Sequence, residues 1–138
     1  GQAIRDKGHE YGTNTGRPRR CGWFDAVILK YAVRTSGLTS VVLNKVDTLA
    51  GIGKLKICVA YKKNGEITYD FPPTLEELAM CEPIYEEMDG WDEDISGIKE
   101  FDKLPEAVQK YVLRIEELCD VKISAIGVGP GREQNIYR

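Results

Sequence analysis

The chain has 138 residues, of which 42% are hydrophobic and 30% charged, and its formal net charge is −3 at pH 7. This composition predicts a soluble domain large enough to bury its own core, and it excludes collagen-like and disordered chains. No apolar run approaches the ~20 residues of a membrane span, and the opening residues are too polar for a secretory signal. The slight negative charge argues against general nucleic-acid binding, although a local basic patch is still allowed. We therefore expect a cytoplasmic protein that binds neither membranes nor nucleic acids.

The first half of the chain predicts two helices and a strand. Residues 2–8 are compatible with a short helix, and the glycines and proline of residues 9–20 indicate a loop. Apolar residues recur at helical spacing over residues 23–35, and a glycine follows as a stop signal. Residues 38–43 form a short apolar run that is typical of a buried strand.

A hairpin is predicted next, and a mixed segment follows it. Residues 54–63 alternate between apolar and polar, and Asn64-Gly65 then leads into residues 66–69. Thr74 is placed to cap a single helical turn over residues 75–78.

The last third predicts a strand, a loop, a helix and a further strand. Residues 82–88 are compatible with a strand, and residues 89–97 indicate a loop. A helix with Pro105 near its first turn is predicted over residues 104–118. Residues 121–126 indicate a strand before the glycine-rich turn 127–131. This order favours an α/β or α+β fold, a mixed β-sheet with flanking helices.

The cysteines and the single histidine predict no metal site. Cys21, Cys58, Cys81 and Cys119 form no C-x-x-C pair, so we expect buried or half-buried free thiols. His9 lies in a polar stretch with nothing nearby that would mark it as a base, so we expect a surface histidine.

The most informative stretch is Asn44-Lys45-Val46-Asp47, directly after the strand 38–43. Open α/β sheets bind ligands where their strands end. There an aspartate can accept hydrogen bonds from N1–H and the 2-amino group of guanine, a pattern that adenine lacks, while a lysine stem lies over the base. The alternative is an ordinary polar turn.

Gly127-Val128-Gly129 also follows a predicted strand. Glycines let a backbone approach a ligand closely, and the N–H groups of such a turn can meet a carbonyl such as guanine O6. A plain turn is the alternative, but two such features at two strand ends favour one base-binding pocket.

The loop 12–20 carries three arginines beside hydroxyl groups, in the order Thr13-Asn14-Thr15-Gly16-Arg17-Pro18-Arg19-Arg20. Arginine grips carboxylates and phosphates through two parallel hydrogen bonds. The loop therefore indicates a site for a small anion, and a solvated basic loop or an RNA-binding patch is the alternative.

The chain lacks a glycine-lysine phosphate cradle. The acidic runs at residues 86–89 and 92–94 are interpreted as solvated turns. We therefore predict no catalytic residue and no metal ligand in this chain.

At these residues the sequence resembles the adenylosuccinate synthetase family. The matching segments follow in order along the chain: Thr15 to Trp23, Asn44 to Asp47, Cys58 to Tyr61, Glu82 to Glu86, Asp89 to Trp91, Arg114 to Leu118 and Gly127 to Pro130. Family members are far longer, and this chain starts in mid-pattern without an initiator Met. The resemblance therefore implies the C-terminal part of a phosphate-loop-like GTP-binding ligase fold, and the whole protein is expected to be a homodimer.

The resemblance also implies an activity and a role for each loop. Family members join IMP and L-aspartate in purine biosynthesis, using GTP and magnesium, and the magnesium ligands are expected outside this chain. The aspartate loop would comprise Thr13, Asn14, Thr15, Gly16, Arg17, Pro18 and Arg19. Arg17 would also contact IMP. The GTP contacts would be Arg19, Lys45, Val46, Asp47, Gly127, Val128 and Gly129.

The family's phosphate loop, catalytic aspartate and catalytic histidine have no counterpart here, so the isolated chain is expected to be inactive. Two other hypotheses remain at this point: a non-catalytic guanine-nucleotide or RNA-binding module, and a structural domain whose loops are merely polar.

Overall fold

The computed structural model describes all of residues 1–138. The helices are α1 (Gln2–Lys7), α2 (Ala26–Ser36), α3 (Leu75–Ala79) and α4 (Glu106–Cys119). The strands are β1 (Phe24–Asp25), β2 (Ser40–Leu43), β3 (Leu55–Lys63), β4 (Glu66–Thr68), β5 (Cys81–Met88), β6 (Lys122–Gly127) and β7 (Asn135–Tyr137). Short 3₁₀ turns cover Val46–Leu49 and Phe101–Lys103. None of the helices combines the length and the apolar character that crossing a membrane requires.

The first sheet is built around β3. Strand β5 pairs antiparallel along the whole of β3, starting with Leu55 opposite Met88. The other edge of β3 takes β1 in parallel and β4 antiparallel. The predicted hairpin is confirmed, because Asn64 and Gly65 have φ angles of 51° and 81°, as a two-residue hairpin turn requires.

The second sheet has the order β2-β6-β7. Strands β2 and β6 are parallel, with Leu43 opposite Ile126, and β7 is antiparallel to β6. Because parallel strands end at the same edge of a sheet, the segments that follow β2 and β6 emerge side by side. This pairing positions the candidate site.

Helix α4 packs into a core that both sheets share. Its buried residues recur at helical spacing: Val108, Tyr111, Val112, Ile115 and Cys119. The same cluster contains Leu55 and Ile57 from β3, and Ile123 and Ile126 from β6. The two sheets are therefore joined through the apolar face of α4.

The predicted α/β class is confirmed, with two mixed sheets in place of one. The helix predicted over residues 23–35 begins only at Ala26, because Phe24 and Asp25 pair with β3 as β1. The Asp25 carboxylate instead caps α2, accepting a hydrogen bond from the Ile28 N–H at 3.1 Å. The short strand β7 was not predicted from the sequence.

The other elements lie close to their predicted bounds. The interpretation of residues 86–89 as a solvated turn was wrong, because residues 86–88 belong to β5 and pair with β3. Thr74 caps α3 as predicted, accepting from the Glu77 N–H at 3.2 Å. Pro105 lies next to the first turn of α4, as predicted, at the position directly before the helix. Gly127, predicted to open a turn, is the last residue of β6. The predicted free thiols are confirmed, since Cys58 and Cys119 are buried and the other two are half-buried.

Candidate functional site

A polar cleft of about 400 Å³ opens where β2 and β6 end. Lys45 and Asp47 line it from the segment after β2, and Gly127 and Gly129 line it from the end of β6. No hydrophobic residue contributes to its lining. The structure therefore brings together four of the residues predicted from the two separate sequence motifs.

The segment Asn44–Asp47 is held by one buried side chain. Lys45 has a left-handed backbone, with φ 61°, and it opens the 3₁₀ turn Val46–Leu49. Val46 is 1% exposed and belongs to the core, so only its backbone is near the cleft. The half-buried Asp47 side chain lines the cleft and makes no hydrogen bond within the chain. Its carboxylate oxygens are thus available to a ligand.

The segment Gly127–Gly129 lies close to the side chains of Asn44 and Gln134. A Cβ at Gly127 would lie 2.9 Å from the Asn44 Oδ1 atom, and one at Gly129 would lie 2.4 Å from the Gln134 side chain. Val128 is fully buried, so the structure places its side chain in the core and not in the cleft. The cleft wall on this side is therefore main chain, with N–H and C=O groups as its polar atoms.

The loop 12–20 is an exposed, closed turn. An isolated bridge pairs Tyr11 with Pro18, and the Gly12 N–H donates to the Arg17 carbonyl oxygen at 2.8 Å. Gly16 has φ 65°, which permits the reversal. The Arg17 guanidinium is exposed and has no partner within the chain, so it is free to bind an anion.

The predicted hydroxyl and amide side chains of this loop are all on its surface. Thr13 and Asn14 are exposed, and the Thr15 Oγ1 atom accepts a hydrogen bond from the Arg17 N–H at 3.3 Å. Arg20 is also exposed, without a partner in the chain. The loop thus presents its hydroxyl, amide and guanidinium groups to solvent.

Glu10 connects this loop to the cleft, and no sequence motif indicated it. Its carboxylate accepts hydrogen bonds from the Lys45 ammonium and from Arg19 Nη1, the latter at 2.8 Å. Lys45 Nζ also donates to the Gly8 carbonyl oxygen at 2.8 Å. The hydrogen bond from Lys45, and to a smaller extent the one from Arg19, lowers the pKa of the Glu10 carboxyl below its ordinary value. Lys45 and Arg19, predicted for the same ligand from different motifs, are therefore joined by one carboxylate.

His9, like Glu10, was not predicted from the sequence to lie at the cleft. It is exposed, as predicted, but it lines the cleft together with Lys7 and Gly8. The sequence feature that could have indicated His9 is its position between α1 and the loop 12–20. No group of three or more His, Cys, Asp or Glu side chains that could hold a metal ion is formed by this chain.

The fold and the cleft together define a mixed α/β protein with a polar cleft at the carboxyl ends of two parallel strands, which is where open α/β sheets bind ligands. Comparison with known proteins is more specific. Residues 1–136 match the family model for adenylosuccinate synthetase. The chain belongs to the adenylosuccinate synthetase family.

Individual relatives are similar over the whole chain. The adenylosuccinate synthetase of Thermoanaerobacter sp. (strain X514) is 62% identical over 136 residues, which are 99% of this chain and 32% of that protein. The adenylosuccinate synthetase of Acetivibrio thermocellus is 61% identical with the same coverage. A solved structure of fully ligated adenylosuccinate synthetase from Plasmodium falciparum matches with a TM-score of 0.94 and 44% identity, covering 100% of this chain and 34% of that one. The chain thus spans about a third of the length of the proteins it matches.

Proposed function

We propose that this chain supplies the guanine-binding cleft and the aspartate-binding loop of an adenylosuccinate synthetase. The whole protein would join IMP and L-aspartate with the use of GTP and magnesium. The observation that carries the proposal is the cleft itself, where Asp47 and the main chain at Gly127 and Gly129 meet at one sheet edge. Family membership agrees with it.

The cleft offers what recognition of guanine needs. Guanine presents N1–H and a 2-amino group on one edge, and a carboxylate accepts from both. The Asp47 carboxylate makes no hydrogen bond within the chain, so none has to be broken when it binds the base. The Val128 N–H is already bonded to the Gln134 carbonyl oxygen at 2.9 Å, so the Gly129 N–H is the main-chain group suited to the O6 carbonyl of the same base. Adenine presents neither donor at that edge, so the cleft would discriminate against it.

The loop 12–20 offers what a dicarboxylate needs. Arg17 has an exposed guanidinium without a partner in the chain, and it belongs to the same closed turn as the exposed Thr13 and Thr15. We propose that this loop holds the carboxylates of L-aspartate and that Arg17 also reaches IMP. Arg19 shares Glu10 with Lys45, so the same carboxylate would orient one arginine of the loop and the lysine of the cleft.

Chemistry in this family begins with transfer of a phosphoryl group from GTP to O6 of IMP, and aspartate then displaces the phosphate. This chain would bind and orient ligands for both steps. Its side chains form no metal-binding group, and we propose that the magnesium ligands are supplied by other parts of the whole enzyme. The 138-residue chain alone would be inactive, the whole enzyme would be a homodimer, and the reacting groups would lie elsewhere in it.

The test is calorimetric titration of the chain with GDP, ADP and XDP. Wild type is expected to prefer GDP over ADP. Asp47→Asn should weaken GDP binding about 10- to 100-fold, because charged hydrogen bonds are lost. The same variant should gain affinity for XDP, since xanthine has a carbonyl where guanine has its 2-amino group, and an amide can donate to it.

Asp92→Asn is the matched control, because Asp92 is exposed and lies outside the cleft. It should bind GDP like wild type. Equal affinity of wild type for GDP and ADP, or an unchanged GDP affinity of Asp47→Asn, would contradict the proposal. Binding of RNA with a steep dependence on salt would favour a nucleic-acid module instead.

A further inference from the structure

We propose that His9 forms the aromatic wall of the cleft and stacks on the face of the bound base while Asp47 reads its edge. The proposal rests on the guanine-binding function given above. It assigns a specificity and positioning role to a residue that belongs to neither sequence motif.

The composition of the cleft wall points to His9. His9 is the only aromatic residue of the lining, and Pro130 is the only other residue there with a ring in its side chain. A purine is a flat, weakly hydrated ring system, and hydrogen bonds at its edge do not cover its faces. The Lys45 stem can lie over only one of the two faces. Stacking on an aromatic side chain covers such a face and is favourable for every base. The imidazole makes no hydrogen bond within the chain, so it is free to do this.

His9 follows α1 in the left-handed position of a helix C-terminal cap, with φ 51°. The Glu10 N–H donates to the Arg5 carbonyl oxygen at 2.9 Å, which is the hydrogen bond that closes such a cap. The end of α1 therefore places the main chain of His9 beside the cleft, whose lining also includes Lys45.

Contacts on both sides fix this conformation. The His9 N–H donates to the Asp6 carbonyl oxygen at 3.3 Å, and the His9 carbonyl oxygen accepts from the Tyr11 N–H at 2.8 Å. Lys45 Nζ binds the residues on either side of His9, at the Gly8 carbonyl oxygen and the Glu10 carboxylate. The lysine that would lie along the base therefore also braces the segment that carries the ring.

Two reciprocal variants separate stacking from hydrogen bonding. His9→Asn removes the ring and suits a left-handed backbone, and its amide retains a hydrogen-bonding group. His9→Phe keeps the ring and removes that group. Stacking predicts that His9→Asn weakens GDP binding about 5- to 100-fold, whereas His9→Phe stays within about threefold of wild type. The same loss should appear with guanosine, because the phosphates take no part in it.

The single histidine also gives a direct spectroscopic readout. Its ring protons are unambiguous in a proton NMR spectrum, and GDP should move them upfield through the ring current of the stacked base. Circular dichroism of each variant checks that the fold is retained.

The outcomes distinguish this inference from the function on which it rests. Unchanged GDP affinity in His9→Asn, loss in His9→Phe but not in His9→Asn, or His9 signals that do not move on GDP addition would each overturn the stacking role. In those cases the Asp47→Asn result would still stand for the guanine-binding function. A wild-type chain that binds no GDP would overturn both.

Discussion

Gly90 and Gly53 bring two loops into main-chain contact. A Cβ at Gly90 would lie 1.9 Å from the Gly53 carbonyl oxygen. Gly53 has φ 89°, and nearby the Gly51 N–H donates to the Trp91 carbonyl oxygen at 2.8 Å. Because the obstructing atom belongs to the main chain, it cannot move aside as the end of a side chain could. Only glycine fits at position 90 without moving one loop away from the other.

We expect Gly90→Ala to lower the free energy of unfolding by about 1–3 kcal/mol, the usual cost of overpacking. Urea denaturation of the two proteins measures the difference. Gly97→Ala is the control, because a Cβ there meets no atom within 4 Å and its φ is not positive. It should change stability by less than about 0.5 kcal/mol. Equal effects of the two substitutions would show that the contact at Gly90 relaxes easily.

The pKa of the Glu10 carboxyl should be lower than that of an ordinary glutamate, because Lys45 and Arg19 both donate to its carboxylate. Carbon-detected NMR of the side-chain carboxyl measures this pKa. Lys45→Met keeps the side-chain stem and removes the charge, and it should raise the pKa of Glu10 toward the ordinary value of about 4.3. A Glu10 pKa that does not respond to Lys45→Met would contradict the observed bridge.

The sign of the effect on stability follows from the lowered pKa. The folded chain holds the carboxylate form more strongly than the unfolded chain does, so Glu10 contributes stability above the pKa of the unfolded glutamate. That contribution is lost as pH falls through the lower folded pKa. The bridge between cleft and loop should therefore weaken only in acid.

At the scale of elements, α4 is the helix that the two sheets share. Ile115 is fully buried on its inner face, whereas Leu113 is 45% exposed on the other side of the same helix. Both lie in the helix interior, so replacement by alanine changes helix propensity similarly at each position. A difference between the two substitutions therefore reports burial.

We expect Ile115→Ala to cost about 2–5 kcal/mol and Leu113→Ala less than about 1 kcal/mol. Thermal or urea unfolding followed by circular dichroism gives both values. Comparable losses at the two positions would mean that the outer face of α4 is covered in solution, in conflict with the structure.

At the scale of the whole molecule, two of the four thiols are buried: Cys119 in the core that both sheets share, and Cys58 in a smaller cluster with Val27 and Tyr61. Burial raises the pKa of Cys58, and also that of Cys119, to about 11. Cys21 and Cys81 are half-buried. The fold thus divides the cysteines into two classes that the sequence alone does not separate.

We expect two thiols to react with a disulfide reagent at pH 8 in the folded chain and the other two only after denaturation. Mass spectrometry of the labelled chain identifies them. Because the unfolded chain releases these protons first, stability should fall as pH rises from about 9 to about 11. Rapid labelling of Cys58 or Cys119 in the folded chain would contradict this arrangement.

Local sequence patterns predicted much of this fold. Asn64-Gly65 predicted its hairpin because few other residues accept two successive positive φ angles. The apolar spacing of α4 predicted its buried face, and the run before Asn44 predicted the strand β2. The prediction that this strand is buried was wrong, because β2 lies at the edge of its sheet and its residues alternate between exposed and half-buried. The strand β7 was missed because three residues have too little pattern to stand out, and its pairing with β6 forms only in the folded chain.

The residues of the candidate site were likewise predicted only in part. Asp47 and Gly129 were predicted from their motifs, since the chemistry of a carboxylate or a glycine turn after a strand is visible in the sequence. Glu10 and His9 were not predicted as members of the site, because their roles depend on neighbours that are distant in sequence. The amino-acid sequence specifies which polar groups are available and, for most segments, whether they form strands or helices. The pairing of β2 with β6, which joins those groups in one cleft, is a property of the folded chain, because strand pairing and burial are long-range interactions that local propensity does not specify.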